Sequence, residues 1–211
     1  MGLSIEVGVL ADLLANDPEA AEDFAHELAV ANRVLAAERL PQHVESRSTP
    51  PESRSSLASF PYSTLHHLRR AYAHRVRDPA WIATPFPADA DPADDADVEA
   101  LTEQFASHLL CHSDSEGFYV PIDFADIVFS NEDDDIPGGM LGSSYRLLEE
   151  LRLVAPALEI ALVDGELSDA EAARIDATGE SDPLWAANVA WLALFEAARL
   201  SIAHRTAIVF C

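Results

Sequence analysis

Apolar residues recur along much of the chain at the spacing of an α-helix. A helix is predicted over 18–38, where Phe24, Leu28 and Leu35 follow the 3.6-residue period and Asp17 precedes Pro18 as an N-cap. The same pattern predicts further helices over 9–15, 62–77, 98–108, 142–154, 156–163, 168–177 and 183–204.

Three short segments, 2–8, 118–122 and 206–210, are apolar or alternate as strands do. Helices around few strands predict an α+β fold, helix-rich with a small, antiparallel sheet. The length suits a single domain over 1–211. Stretches rich in Pro, Ser and Asp predict flexible loops at 41–58, 83–97 and 130–139.

The helix predicted over 183–204 is apolar nearly all round, as a membrane span would be. Asn188, Glu196 and Arg199 interrupt it, and charged residues are costly in the middle of a bilayer. We therefore expect a buried central helix.

The charge of the chain restricts the classes of partner that it can bind. There are 37 Asp and Glu residues against 13 basic ones, no Lys among them, and the net charge is -24. Such a surface repels nucleic acid and anionic membranes and attracts a basic partner. Adaptation to a salt-loving cell, or the Arg-for-Lys bias of a GC-rich genome, explains the same composition without any partner.

Part of the acidity is concentrated in runs at 89–99 and 132–135, which are also typical of solvated loops. If the acidity is functional, a basic protein partner would contact the aspartates of these runs. The predicted partner-binding residues are Asp91, Asp94, Asp95, Asp97, Asp133, Asp134 and Asp135.

The segment 108–123 contains the largest group of candidate metal-ligating residues. Counted from His112, His or acidic residues fall at positions 1, 3, 5 and 12 and Gly at position 6, the spacing of an EF-hand loop. The match is incomplete, and a β-turn built on Asp114 and Gly117 explains these residues without a metal. No cofactor is otherwise expected. A divalent metal, if bound, would be held by His108, His112, Asp114, Glu116 and Asp123.

Three stretches of the C-terminal half resemble a widespread group of bacterial proteins of unassigned function. They are 107–123 with its His-Ser-Asp-Ser-Glu-Gly turn, Leu-Gly-Ser-Ser at 141–144, and the terminal Ala-Ile-Val-Phe at 207–210. The resemblance implies no known activity. Some small proteins of this style are suspected immunity proteins for toxins, so an immunity-type role is one expectation that it adds.

A basic stripe lies on the predicted helix 62–77, where His67, Arg70, His74 and Arg77 recur at helical spacing. It is interpreted either as a phosphate or carboxylate site, or as a surface that pairs with the chain's own acidic loops. The second interpretation predicts that His67 and His74 are shifted toward the charged form.

No nucleotide-binding loop, nucleophile elbow or zinc-protease motif occurs. Two cysteines exclude a disulfide scaffold and, with no secretory signal in view, favour the cytoplasm. We expect an acidic cytosolic binding protein, of immunity type, that neutralises a basic protein such as a toxin and binds neither nucleic acid nor membrane. The alternative is a metal-dependent enzyme centred on the five residues named above.

Overall fold

A computed structural model of the protein describes residues 2–87, 90–131 and 134–211. Its strands are β1 Gly2–Val7, β2 Ser59–Pro61, β3 Gly117–Val120, β4 Val128–Phe129, β5 Met140–Ser143, β6 Leu162–Val163, β7 Glu166–Leu167 and β8 Ile208–Phe210. Its α-helices are α1 Val9–Asn16, α2 Pro18–Ala37, α3 Tyr62–Arg77, α4 Ala96–Thr102, α5 His108–Cys111, α6 Ser144–Val154, α7 Asp169–Asp176 and α8 Trp185–His204.

A mixed sheet with the order β2-β1-β8-β3-β5-β4 organises the fold, and β6 and β7 form a separate hairpin. Neighbouring strands of the sheet are antiparallel except β3 and β5, which run parallel with Phe118 opposite Leu141. The predicted α+β class with its small sheet is confirmed, and one parallel pair distinguishes the sheet from an all-antiparallel one. The strand β3 is central and ends before Pro121, which has no N–H to donate.

Side chains alternate between two hydrophobic cores, one on each face of the sheet. On β3, Phe118 and Val120 enter the core beneath α1 and α2, whereas Tyr119 enters the core beneath α3, α6 and α8. In the second core the Trp191 indole donates to the Leu151 carbonyl at 2.8 Å. Two helical layers therefore enclose the sheet.

The helix α8 alone, among the described residues, has the length and hydropathy of a membrane span. Of its most apolar window, 78% is buried inside the fold. Burial on this scale is typical of a core helix, in agreement with the expectation from the sequence.

Three predicted helices are interrupted in the structure. The helix predicted over 98–108 ends with α4 at Thr102, and α5 begins only at His108. Residues 142–143 end β5, where they pair with Tyr119 and Val120 of β3, rather than begin a helix. A Cβ at Gly142 would lie 2.2 Å from Cδ1 of Tyr119, so only glycine lets the strands approach so closely. Residues 155–158 form a 3₁₀ turn that Glu159 ends with a left-handed φ of 57°. The chain then enters β6.

The segment 41–58 lies across the end of the sheet and along α8, where two side chains anchor it. The Glu45 carboxylate accepts hydrogen bonds from the Ala207 N–H at 2.8 Å and from the Thr206 hydroxyl. Arg54 donates through Nη2 to Glu196 Oε1 at 2.5 Å and through its backbone N–H to Oε2 at 3.1 Å. Flexibility of this and the other loops, and the single domain over 1–211, stay predictions.

Candidate partner-binding surface

The acidic run after residue 90 is partly neutralised by the basic stripe on α3. Asp95 Oδ2 accepts from Arg70 Nε at 2.8 Å and contacts His74 Nε2 at 2.9 Å. Asp97 pairs with Arg77 at 2.9 Å and with His74 Nδ1 at 3.2 Å. Self-pairing, one of the two interpretations of the stripe, is therefore what the structure shows, and two of the predicted contact residues face inward.

Burial raises the pKa of Asp95, but hydrogen bonds from His74 and from the Asp97 N–H, with the charge of Arg70, outweigh it and lower the pKa overall. Within the described chain, His74, Asp95 and Asp97 also place their ligand-type atoms within 4.8 Å of one another. Two guanidinium groups already contact these carboxylates, so the arrangement is an ion-pair cluster in which an added cation meets like charge.

The predicted shift of His67 toward the charged form is wrong. Burial and the neighbouring charge of Arg70 lower its pKa. The His67 ring lies edge-on to the Phe86 ring, with their centroids 5.6 Å apart. The Arg70 guanidinium carbon lies 4.8 Å from the Phe86 centroid. The stripe therefore fastens the segment that follows α3 onto this helix.

Other acidic side chains of the same region face outward. Asp94, Glu99 and Glu103 line an open groove of about 470 Å³, together with Val98 and Thr102. Asp91 is also exposed and caps the Ala93 N–H at 2.9 Å. Of the predicted contact residues in this run, Asp91 and Asp94 are thus the accessible ones.

The second predicted acidic run is only partly described. Asp133 lies outside the described residues. Asp134 pairs with Arg33 of α2 at 2.6 Å, and Asp135 is exposed. Within the described part of this run, Asp134 therefore lies beside α2.

An acidic row on α2, outside the set of predicted contact residues, extends this surface. Glu19, Asp23 and Glu27 are exposed and recur every four residues, about 6 Å along the helix axis. Burial raises the pKa of Glu27, and so do the charges of Asp23 and of Glu116 from the 112–117 turn, while His26 lowers it. Like charges are therefore concentrated here without full compensation. The i, i+4 spacing of these three carboxylates was the signal in the sequence.

The two histidines of the predicted metal set are buried and separately engaged. His108 accepts the Ser143 N–H at Nδ1 at 3.0 Å, and its Nε2 lies 3.2 Å from the Ala125 carbonyl. The His112 ring stacks on Tyr119 with centroids 4.1 Å apart. Burial lowers the pKa of His112 to about 4, so this ring is neutral near pH 7.

The three acidic members of that set point to different neighbours. Asp114 pairs with Arg69 and, at 3.1 Å, with His66. Burial alone would raise its pKa, but these partners lower it to about 2. Asp123 pairs with Arg146 at 2.8 Å, and Glu116 is exposed beside Glu27. The structure therefore does not bring the five predicted metal ligands together.

An exposed aromatic pair adjoins the acidic groove. Phe105, 60% exposed, follows α4, and Phe129, 48% exposed, lies on the edge strand β4. Their ring centroids are 5.8 Å apart in an edge-to-face arrangement. No periodic pattern marks either residue in the sequence, because each lies outside a long amphipathic element.

Comparison with known families identifies the group of proteins to which the chain belongs. The family described as "Putative DNA-mimic protein" matches residues 1–210. The chain belongs to this family. No curated protein and no solved structure matches it.

The putative DNA-mimic family changes the predicted partner. An acidic protein of binding type is confirmed as the coarse function. The expectation of a basic protein partner with no connection to nucleic acid was wrong, because a DNA mimic implies a DNA-binding protein as partner. The toxin-neutralising, immunity-type role is not confirmed. A negative charge that repels nucleic acid can also resemble the charge of one, and the sequence alone does not separate these two consequences.

Proposed function

We propose that this member of the family occupies the DNA-binding surface of a protein that binds DNA, with its carboxylates in the places of phosphates. The match of the DNA-mimic family over residues 1–210 carries the proposal. The net charge of -24 and the outward carboxylates of α2 and of the acidic groove support it.

The physical basis is the likeness of the two charge patterns. Duplex DNA carries about one negative charge per 1.7 Å of its axis, and proteins that bind it present arginine and lysine to that density. On α2, Asp23 and Glu27 repeat along a rigid helix, and Glu116 adds a third carboxylate from the neighbouring turn. Fixed charges of this kind attract a cationic surface over a distance and speed the encounter.

With its carboxylates in the places of phosphates, the protein competes with DNA for the DNA-binding surface of the partner. We expect it to act in the cytoplasm, as the sequence suggests. An immunity role is not part of this proposal.

The proposal predicts that the α2 row contributes to affinity. A DNA-binding protein is first captured on the immobilised chain from a nuclease-treated cell extract, then purified for titration. Asp23→Asn with Glu27→Gln should weaken its binding about three- to tenfold at moderate salt, since each exposed ion pair contributes modestly. The loss should shrink as salt screens the charges.

The matched control removes the same charge elsewhere. Asp164→Asn with Glu180→Gln changes two exposed carboxylates of the half that packs on the α8 face of the sheet. This variant should bind like the unaltered chain. Equal losses in both variants, or captured proteins that do not bind DNA, would contradict the proposal.

A further inference from the structure

Phe105 is held on the surface at a conformational cost. Its φ is 52°, in the left-handed region that bulky residues avoid. Its N–H donates to the Thr102 carbonyl at 3.0 Å, and the Gln104 N–H donates to the Leu101 carbonyl at 3.2 Å. These bonds end α4 and direct the phenyl ring to solvent, where it meets Phe129.

Exposed carboxylates lie close in the sequence to both members of this apolar pair. Glu103 lies two residues before Phe105 and lines the groove with Glu99. Asp126, exposed, lies three residues before Phe129. A side chain that satisfies both features carries positive charge and presents a flat, weakly hydrated face to the rings.

We propose that Phe105 and Phe129, with Glu99 and Glu103, form an anchor for an arginine side chain of the partner's DNA-contacting surface. The inference rests on the proposed function and adds to it the place and the kind of side chain bound. A guanidinium stacks on an aromatic face and still donates to a carboxylate, whereas the compact, strongly hydrated ammonium of lysine favours water.

The fold already contains this arrangement internally. The Arg70 guanidinium lies 4.8 Å from the Phe86 ring centroid while its Nε donates to Asp95 at 2.8 Å. The exposed anchor offers the same two components, ring and carboxylate, without an arginine of its own chain among the described contacts. An incoming arginine would complete it.

A second copy of this chain fits the surface poorly. Each copy carries a net charge of -24, and pairing two acidic grooves brings like charges together. Charge complementarity therefore favours a cationic partner over self-association.

The test uses two helical alanine-based peptides that differ only in carrying arginine or lysine at the same positions. Fluorescence anisotropy should show the arginine peptide binding the unaltered chain about two- to fivefold more tightly. Phe105→Leu with Phe129→Leu keeps apolar side chains but removes the rings, so this preference should disappear. Glu99→Gln with Glu103→Gln should weaken the binding of both peptides.

The control is Tyr145→Leu, which removes a partly exposed ring of α6, outside the anchor. It should leave the arginine preference unchanged, and circular dichroism should show all variants folded. Equal binding of the two peptides to the unaltered chain would overturn the anchor and leave the test on α2 standing. Self-association that the phenylalanine substitutions abolish would overturn it too, since a second copy would then cover the rings.

Discussion

Single buried polar residues make this fold sensitive to pH. Glu150, which is partly buried, holds the start of α5: Oε1 accepts the His108 N–H at 2.9 Å and Oε2 the Leu109 N–H at 2.7 Å. Burial raises its pKa to about 7, although these hydrogen bonds act in the opposite direction. The proton is therefore bound more tightly in the folded than in the unfolded chain, and stability falls as pH rises through about 7.

Substituting Glu150→Gln should remove this pH dependence. The free energy of unfolding of the unaltered chain, minus that of the variant, should decrease between pH 5 and pH 8 by up to about 3 kcal/mol. Urea denaturation across this range measures it. The comparison with the variant is needed because buried His112, whose pKa is lowered, changes the stability of the fold in the opposite direction. Its contribution makes the fold less stable as pH falls below about 6.5. Subtracting the free energy of unfolding of the variant cancels this contribution.

Glu149→Gln is the matched control, since this neighbouring carboxylate is exposed and pairs with Arg146. Because this ion pair is exposed to solvent, the variant should change stability much less than Glu150→Gln does. A flat difference profile for Glu150→Gln would show that the Glu150 carboxyl does not titrate as described.

Residues that act on close sequence neighbours were predictable, and those with distant partners were not. Asp17 and Ser168 cap α2 and α7 as their patterns indicate, accepting from the Ala20 and Glu171 N–H groups. Glu45 binds Ala207 across 162 positions of sequence. Nothing near Glu45 in the sequence announces that partner.

Among the elements, long helices were predictable and short strands were not. The apolar period of α2 and α3 extends over many residues and sets their bounds closely. β4 has two residues, too few for any alternation, and forms only because β5 pairs with it at Val128 and Phe129. Likewise, the sequence shows that residues 91–97 are acidic, but not which of their side chains the arginines of α3 neutralise.

The segment 41–58, called the strap below, is held against α8 by Arg54. The variant Arg54→Ala tests this contact. Arg54 donates to Glu196, whose side chain is 0% exposed, and to the Leu167 carbonyl at 2.9 Å. Removing one partner of a buried carboxylate should lower the free energy of unfolding by about 1–3 kcal/mol, with Arg199 limiting the loss. Denaturant titration measures the change.

Arg47→Ala provides the control in the same segment, because Arg47 is exposed. It should change stability by less than about 0.5 kcal/mol. Equal stabilities of the two variants would show that the strap does not depend on the contact with Glu196.

Over the whole molecule, the internal ion pairs leave a large excess of negative charge. Within the described part of the chain, ion pairs engage arginines such as Arg33, Arg70 and Arg77, yet acidic residues outnumber basic ones by 24. A composition bias explains a uniformly acidic surface. The α2 row and the acidic groove beside two exposed rings are local features, and they agree with the family to which the chain belongs.

Competition with duplex DNA tests the central claim most directly. A fluorescently labelled chain is bound to its captured, purified DNA-binding partner, and a short duplex is titrated into the complex. DNA mimicry predicts that the duplex displaces the labelled chain completely, and that added salt weakens both complexes. A ternary complex of chain, partner and duplex would contradict the account, because the two ligands would then occupy different surfaces.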